Sequence, residues 1–192
     1  MSAKRTYTVP VLLLVLTVLA TLIIVLYSRL LLDGQADKTN KGRELADEYN
    51  ACLAYASLLG NGARDLSASG NAADRLPVKE QLGQIPPVSG QCAKALAEAR
   101  SGSGGTSAVA ASMEAIWNKL RPIGNHDGAL TPEEKAVLQT LADGGAKLEQ
   151  TLRRYEVPTG DDRLRQMAAG VEWTGPAQQA AKQLEELAAA LK

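Results

Sequence analysis

The chain has 192 residues, 45% of them apolar, with no Phe and only 4% aromatic side chains. That length holds one domain beside any targeting segment, and its core must be built from Leu, Ala, Val and a few Tyr and Trp. Formal net charge is zero, but Lys4, Arg5 and Arg29 all precede Asp33, and from there on 18 Lys plus Arg face 21 Asp plus Glu, a net of −3; a basic face able to displace phosphate counterions is missing, which excludes nucleic acid as a partner.

Ala and Leu favour helix, while β-branched and aromatic residues become scarce beyond the N-terminal stretch. The expected fold class is therefore all-α: an N-terminal transmembrane helix followed by an antiparallel bundle of about four core helices plus short extra ones.

The first element runs from Val9 to Tyr27, VPVLLLVLTVLATLIIVLY, nineteen residues without a charge. As a helix it extends roughly 28 Å, close to the hydrocarbon thickness of a bilayer. Tyr7 and Tyr27 bracket it, where amphipathic rings favour the lipid–water boundary, and Pro10 falls in the first turn, where its missing N–H does little harm. The chain accordingly divides into a short cytoplasmic tail (1–8), a signal-anchor helix in contact with the lipid bilayer (9–32) and an extracytoplasmic helical domain (33–192). A cleaved signal peptide is the competing reading: Lys4 and Arg5 form a charged leader and Gly34-Gln35-Ala36 offers small residues to a peptidase. Against it, the apolar run exceeds the usual length of about 7–15 residues, and Arg29 and Asp33 interrupt the approach to the cut. Lys4 and Arg5 favour an inner N-terminus, whereas Arg29, Lys38, Lys41 and Arg43 pull the other way on the positive-inside count. The signal-like layout decides for a single-pass protein of the cell membrane, N-terminus inside and C-terminal domain outside.

Leu45, Tyr49, Cys52, Ala56 and Leu59 recur at steps of three and four, one face of a helix that continues the anchor. Gly60-Asn61-Gly62 is expected to end it. A poorly patterned stretch with Pro77, Pro86 and Pro87 follows, with one short helix around Val78 to Ile85. Val88, Cys92, Leu96 and Ala99 form the second row. Cys52 and Cys92 are the only cysteines, and an even count outside the cytoplasm suggests a disulfide, with two free thiols at a helix interface as the alternative.

Ser101-Gly102-Ser103-Gly104-Gly105 reads as a flexible linker. Val109, Met113, Ile116, Leu120 and Ile123 make the next row, stopped by Pro122 and Gly124. Thr131-Pro132-Glu133-Glu134 is a capping box with Pro at the first helical position, leading into Leu138, Leu141, Gly145, Leu148, Leu152 and Tyr155. Gly144 and Gly145 interrupt an otherwise helix-favouring run. Because Gly145 lies on the apolar row, it is expected to receive a closely packed neighbour, either another helix or a bulky side chain such as Trp117; Gly144 lies off the row and should be replaceable. A short helix to Trp173 and a last one with Ala177, Ala181, Leu184, Ala188 and Leu191 complete the chain.

No pattern supports a reaction. His126 and Asp127 lie in a Gly-bounded loop without a nucleophile motif nearby, and adjacent residues seldom point together. Glu133 and Glu134 are explained by a helix N-terminus, and one His with two distant Cys cannot supply a zinc site. No catalytic residue, metal or cofactor is expected. Trp117 and Trp173 stand beside their rows, which suits core-edge positions or a partner-binding surface.

The layout resembles that of membrane-tethered helical sensor or adaptor modules. The stretch from Leu130 to Arg153 is similar to part of the membrane proteins that partner spore-cortex-lytic enzymes, over about two dozen residues of general helix pattern that identify no family. The function expected is that of a non-catalytic interaction module of a bacterial-type cell envelope, with another membrane or envelope protein as partner. A small-ligand-binding bundle is the alternative, and an envelope enzyme or a partner of a wall-lytic enzyme ranks below it.

Overall fold

A computed structural model describes residues 8–100 and 105–192. Of the expected tail, residues 1–7 with Lys4, Arg5 and Tyr7 lie outside the described residues, as do residues 101–104 of the expected linker; Gly105 begins a helix. The fold is all-helical, with no strand among the described residues.

The first helix, α1 (Thr8–Ala68), is 61 residues long and unbroken. Every side chain from Val11 to Leu32 is exposed, whereas from Thr39 onward one face is buried, Leu45, Tyr49, Cys52, Ala56 and Leu59 among them. One helix thus carries an apolar stretch long enough to cross a membrane and then serves as the central helix of a helical bundle. The expected stop at Gly60-Asn61-Gly62 is not there. Both glycines lie inside α1 and are buried, Gly60 against the backbone of Gly145 and Ala146 and Gly62 under the side chain of Leu82. Their missing side chains make room for neighbours, and the surrounding contacts outweigh the roughly 1 kcal/mol helix penalty of each glycine.

The remaining helices are α2 (Ala72–Leu82), α3 (Ile85–Ala99), α4 (Gly105–Leu120), α5 (Pro132–Leu152), α6 (Asp161–Ala168) and α7 (Thr174–Ala190). Asn71 caps α2 by accepting from the Asp74 N–H at 3.0 Å, so this helix begins six residues before the expected Val78 and accommodates Pro77 in its second turn. In α3, Pro86 and Pro87 fall in the first turn, where their missing N–H groups have no intrahelical partner to lose. The capping box of α5 closes as expected: Glu134 N–H donates to the Thr131 hydroxyl at 3.1 Å and the Thr131 N–H donates to the Glu134 carboxylate at 2.9 Å.

Three helices line α1 in the opposite sense. Gly60 meets Gly145 and the Tyr49 hydroxyl donates to the Leu152 carbonyl at 2.8 Å along α5. Cys52 meets Cys92 and Lys41 pairs with Glu98 along α3, and Gly42 meets Leu164 on α6. α4 and α7 close the far side against α3 and α5. The consequence is polarity of position. Thr39, the start of α6 and the end of α3 lie at the end of the bundle nearest the exposed apolar stretch; the α1 C-terminus, α2 and the loop after α4 lie at the other end. At 1.5 Å per residue the two ends are separated along α1 by about 45 Å.

Candidate functional site

The three residues and the cysteine pair singled out from the sequence are not brought together. Cys52 and Cys92 lie at bonding distance as a disulfide between α1 and α3. Gly145 packs on α1, not on Trp117. Trp117 is half-buried on α4 and lines a shallow groove with Pro86, Ala93 and Met113. Trp173, expected at a core edge or on a partner surface, is a core residue instead. It is 1% exposed, its indole N–H donates to the Met167 carbonyl at 2.7 Å, and its ring meets Tyr49 edge-to-face at 6.3 Å, with Tyr155 on Tyr49 at 5.4 Å. Capture of the indole N–H by the end of α6 removes the polar tip that would otherwise hold this ring at the surface.

A buried charged side chain lies elsewhere, in a cleft at the far end of the bundle. Arg75 and Lys79, one turn apart on α2, face the loop between α4 and α5. Arg75 is 1% exposed. Its Nη2 donates to the carbonyls of His126 at 2.9 Å and Gly128 at 2.7 Å, while Nε and Nη1, also buried, have no acceptor among the described residues. Lys79 Nζ donates to the Arg121 carbonyl at 3.4 Å and to the Asn125 side-chain oxygen. The loop reaches this shape because Gly124 and Gly128 adopt φ of +68° and +89°, the left-handed region in which a side chain is strained. Gly124 is required on a second count, since a Cβ there would lie 2.9 Å from Arg75 Cδ.

Glu134 ties the loop to α5. Its carboxylate accepts from the N–H groups of Gly124 at 2.8 Å and Thr131 at 2.9 Å, and His126 Nε2 lies 2.9 Å from it. Burial works against the charge of Glu134, but these donors outweigh it and hold the carboxyl at a pKa of about 2. His126 is pushed above its ordinary value by the Asp127 carbonyl at Nδ1 and by Glu134. The exposed His126 thus uses its neighbour's backbone and a helix-capping acid eight residues on, not the Asp127 carboxylate. No protein family matches this chain, and no curated protein or solved structure does either.

Arg75 was missed from the sequence, although a signal existed. Arg75, Val78 and Leu82 follow the same 3-4 spacing as the apolar rows, so a charged residue stands on the buried stripe of α2. A buried guanidinium whose hydrogen bonds go only to carbonyls is costly, because neutral acceptors do not offset its charge. Among the described residues no cluster of three or more His, Cys, Asp or Glu side chains is arranged to hold a metal.

Proposed function

We propose that this chain is a single-pass protein of a bacterial-type cell envelope, anchored through residues 9–32, that acts without catalysis as an interaction module for another membrane or envelope protein. The observation that carries the reading is the division of labour within α1. Its first part exposes more than twenty consecutive, almost wholly apolar positions that no other helix covers, a surface far larger than water tolerates, and its second part is the centre of the bundle. The two parts share one unbroken helix, with no loop between the anchor and the domain. The Cys52–Cys92 pair suits an oxidising compartment and supports an outward-facing domain. A small ligand held by the domain is the second reading, and one place favours it: the Arg75 cleft.

Cross-linking in native membranes followed by mass spectrometry tests the interaction. A reproducible envelope or membrane partner supports it, and repeated recovery of the chain alone overturns it. For topology, a C-terminal periplasm-type reporter fusion should be active and a cytoplasmic one silent; the opposite pattern reverses the orientation, and a soluble product beginning near Asp37 replaces the anchor with a cleaved signal.

A further inference from the structure

The geometry points to the Arg75–Lys79 cleft as a binding site for an oxyanion, a carboxylate or phosphate group. The inference stands independently of the anchoring and partner readings above, because it uses only atoms of the far end of the bundle.

Of the five N–H hydrogens on a guanidinium, the two on Nη2 of Arg75 serve the carbonyls of His126 and Gly128. The three on Nε and Nη1 meet no acceptor among the described residues, although the side chain is 1% exposed. Unused donors on a buried charge are the deficit that a bound anion removes. Lys79, one helical turn away, adds a second positive charge to the wall formed by Ala72, Arg75, Leu76 and Lys79. Burial and the charge of Arg75 hold the Lys79 ammonium below its ordinary value, while Glu134 acts in the opposite direction. The acid closest to a counter-ion role, Glu134, is already committed: one oxygen takes the Gly124 N–H, and the other takes Thr131 and His126. The facing wall is the glycine-bounded loop with Gly124, Asn125, His126 and Asp127. Its Asp127 carboxylate is exposed and disfavours an anion, which makes it a useful control. Leu76, 68% exposed on the lip, gives the apolar part of an anion-bearing molecule a place to rest.

The occupant is therefore a small oxyanion seated between Lys79 Nζ and the free edge of Arg75, entering past the loop from Gly124 to Gly128. Carboxylate and phosphate present the same acceptors to these donors, and the experiment separates them. Full-length protein in detergent micelles is titrated with sodium phosphate, sodium acetate or sodium chloride at matched ionic strength, and its thermal unfolding midpoint is followed. Arg75 also holds the loop, so Lys79→Gln and Asp127→Asn are the variants compared with the wild type. A saturable rise over chloride with phosphate alone assigns a phosphate group, with acetate alone a carboxylate, and with both a general oxyanion site. In each case the apparent affinity should fall about tenfold in Lys79→Gln and rise severalfold in Asp127→Asn. No saturable rise over chloride in either titration, or the same response from wild type and both variants, overturns the assignment.

Discussion

Gly145 of α5 meets Gly60 of α1 backbone to backbone. A Cβ on Gly145 would come within 2.5 Å of the Gly60 α-carbon and 3.0 Å of the Ala56 carbonyl oxygen, and a Cβ on Gly60 would lie 3.2 Å from the Ala146 nitrogen. The two helices approach this closely only because neither carries a side chain at the crossing, and the approach brings two rows of Leu, Ala and Tyr into dispersion contact on either side. The Tyr49 hydroxyl on the Leu152 carbonyl fixes the same register about two turns further along α5 and about three turns back along α1.

Gly145→Ala should therefore destabilise the protein by about 1–3 kcal/mol in spite of alanine's better helix propensity. Gly60→Ala should cost less, because its clash is smaller. Gly144 is not as free as its place off the apolar row suggests: a Cβ there would lie 2.7 Å from a Leu187 methyl. That methyl ends a rotatable side chain, so Gly144→Ala should stay within about 1 kcal/mol of wild type. Urea unfolding of full-length protein in micelles gives the order, and equal costs at all three positions would sink the close-packing account.

The Cys52–Cys92 bridge closes a loop of 40 positions between α1 and α3. Replacing both cysteines with Ala should lower stability by about 4 kcal/mol on the loop-entropy account. Maleimide should label denatured protein only after reduction. Labelling of both thiols without reductant, in protein protected from air, would mean that the bridge does not form.

Trp173 and Trp117 should respond differently. Trp173→Phe removes the indole donor, leaves the Met167 carbonyl with only backbone N–H donors such as that of Gly170, and trims a ring that is 1% exposed in the core, a combined cost of about 1–3 kcal/mol. Trp117→Phe removes part of a half-buried ring and should be milder. In single-Trp variants, iodide should quench the fluorescence of Trp117 and leave that of Trp173 nearly unchanged. Equal quenching would place Trp173 at the surface after all.

The His126–Glu134 pair predicts a pH window. Glu134 is depressed from 4.5 to about 2, so its contribution is present above pH 4.5 and is lost as pH falls towards 2. His126 is raised from 6.5, so its contribution is complete below pH 6.5 and is lost as pH rises through the folded value. Both are in force between pH 4.5 and 6.5. Glu134→Gln should flatten the stability profile on both sides of that window, and an unchanged profile would show that the pair does not couple to folding.

What the sequence by itself determined was local. The apolar run of α1, the rows Leu45 to Leu59, Val109 to Ile123 and Leu138 to Tyr155, and the capping box at Thr131 were legible because each depends on residues within a turn or two of one another. The tertiary structure decided what depends on distant atoms. Gly60 and Gly62 read as a helix stop, yet α1 passes through them because Gly145 and Leu82 fill the space they leave. Trp173 stood off its row and is nevertheless buried, since the end of α6 supplies an acceptor for its indole. Arg75 drew no reading from the sequence, and the carbonyls that take its Nη2 lie 51 and 53 positions away. Helix periodicity is written into neighbouring side chains, whereas the partner of a glycine, an indole or a guanidinium is chosen only when remote segments pack together.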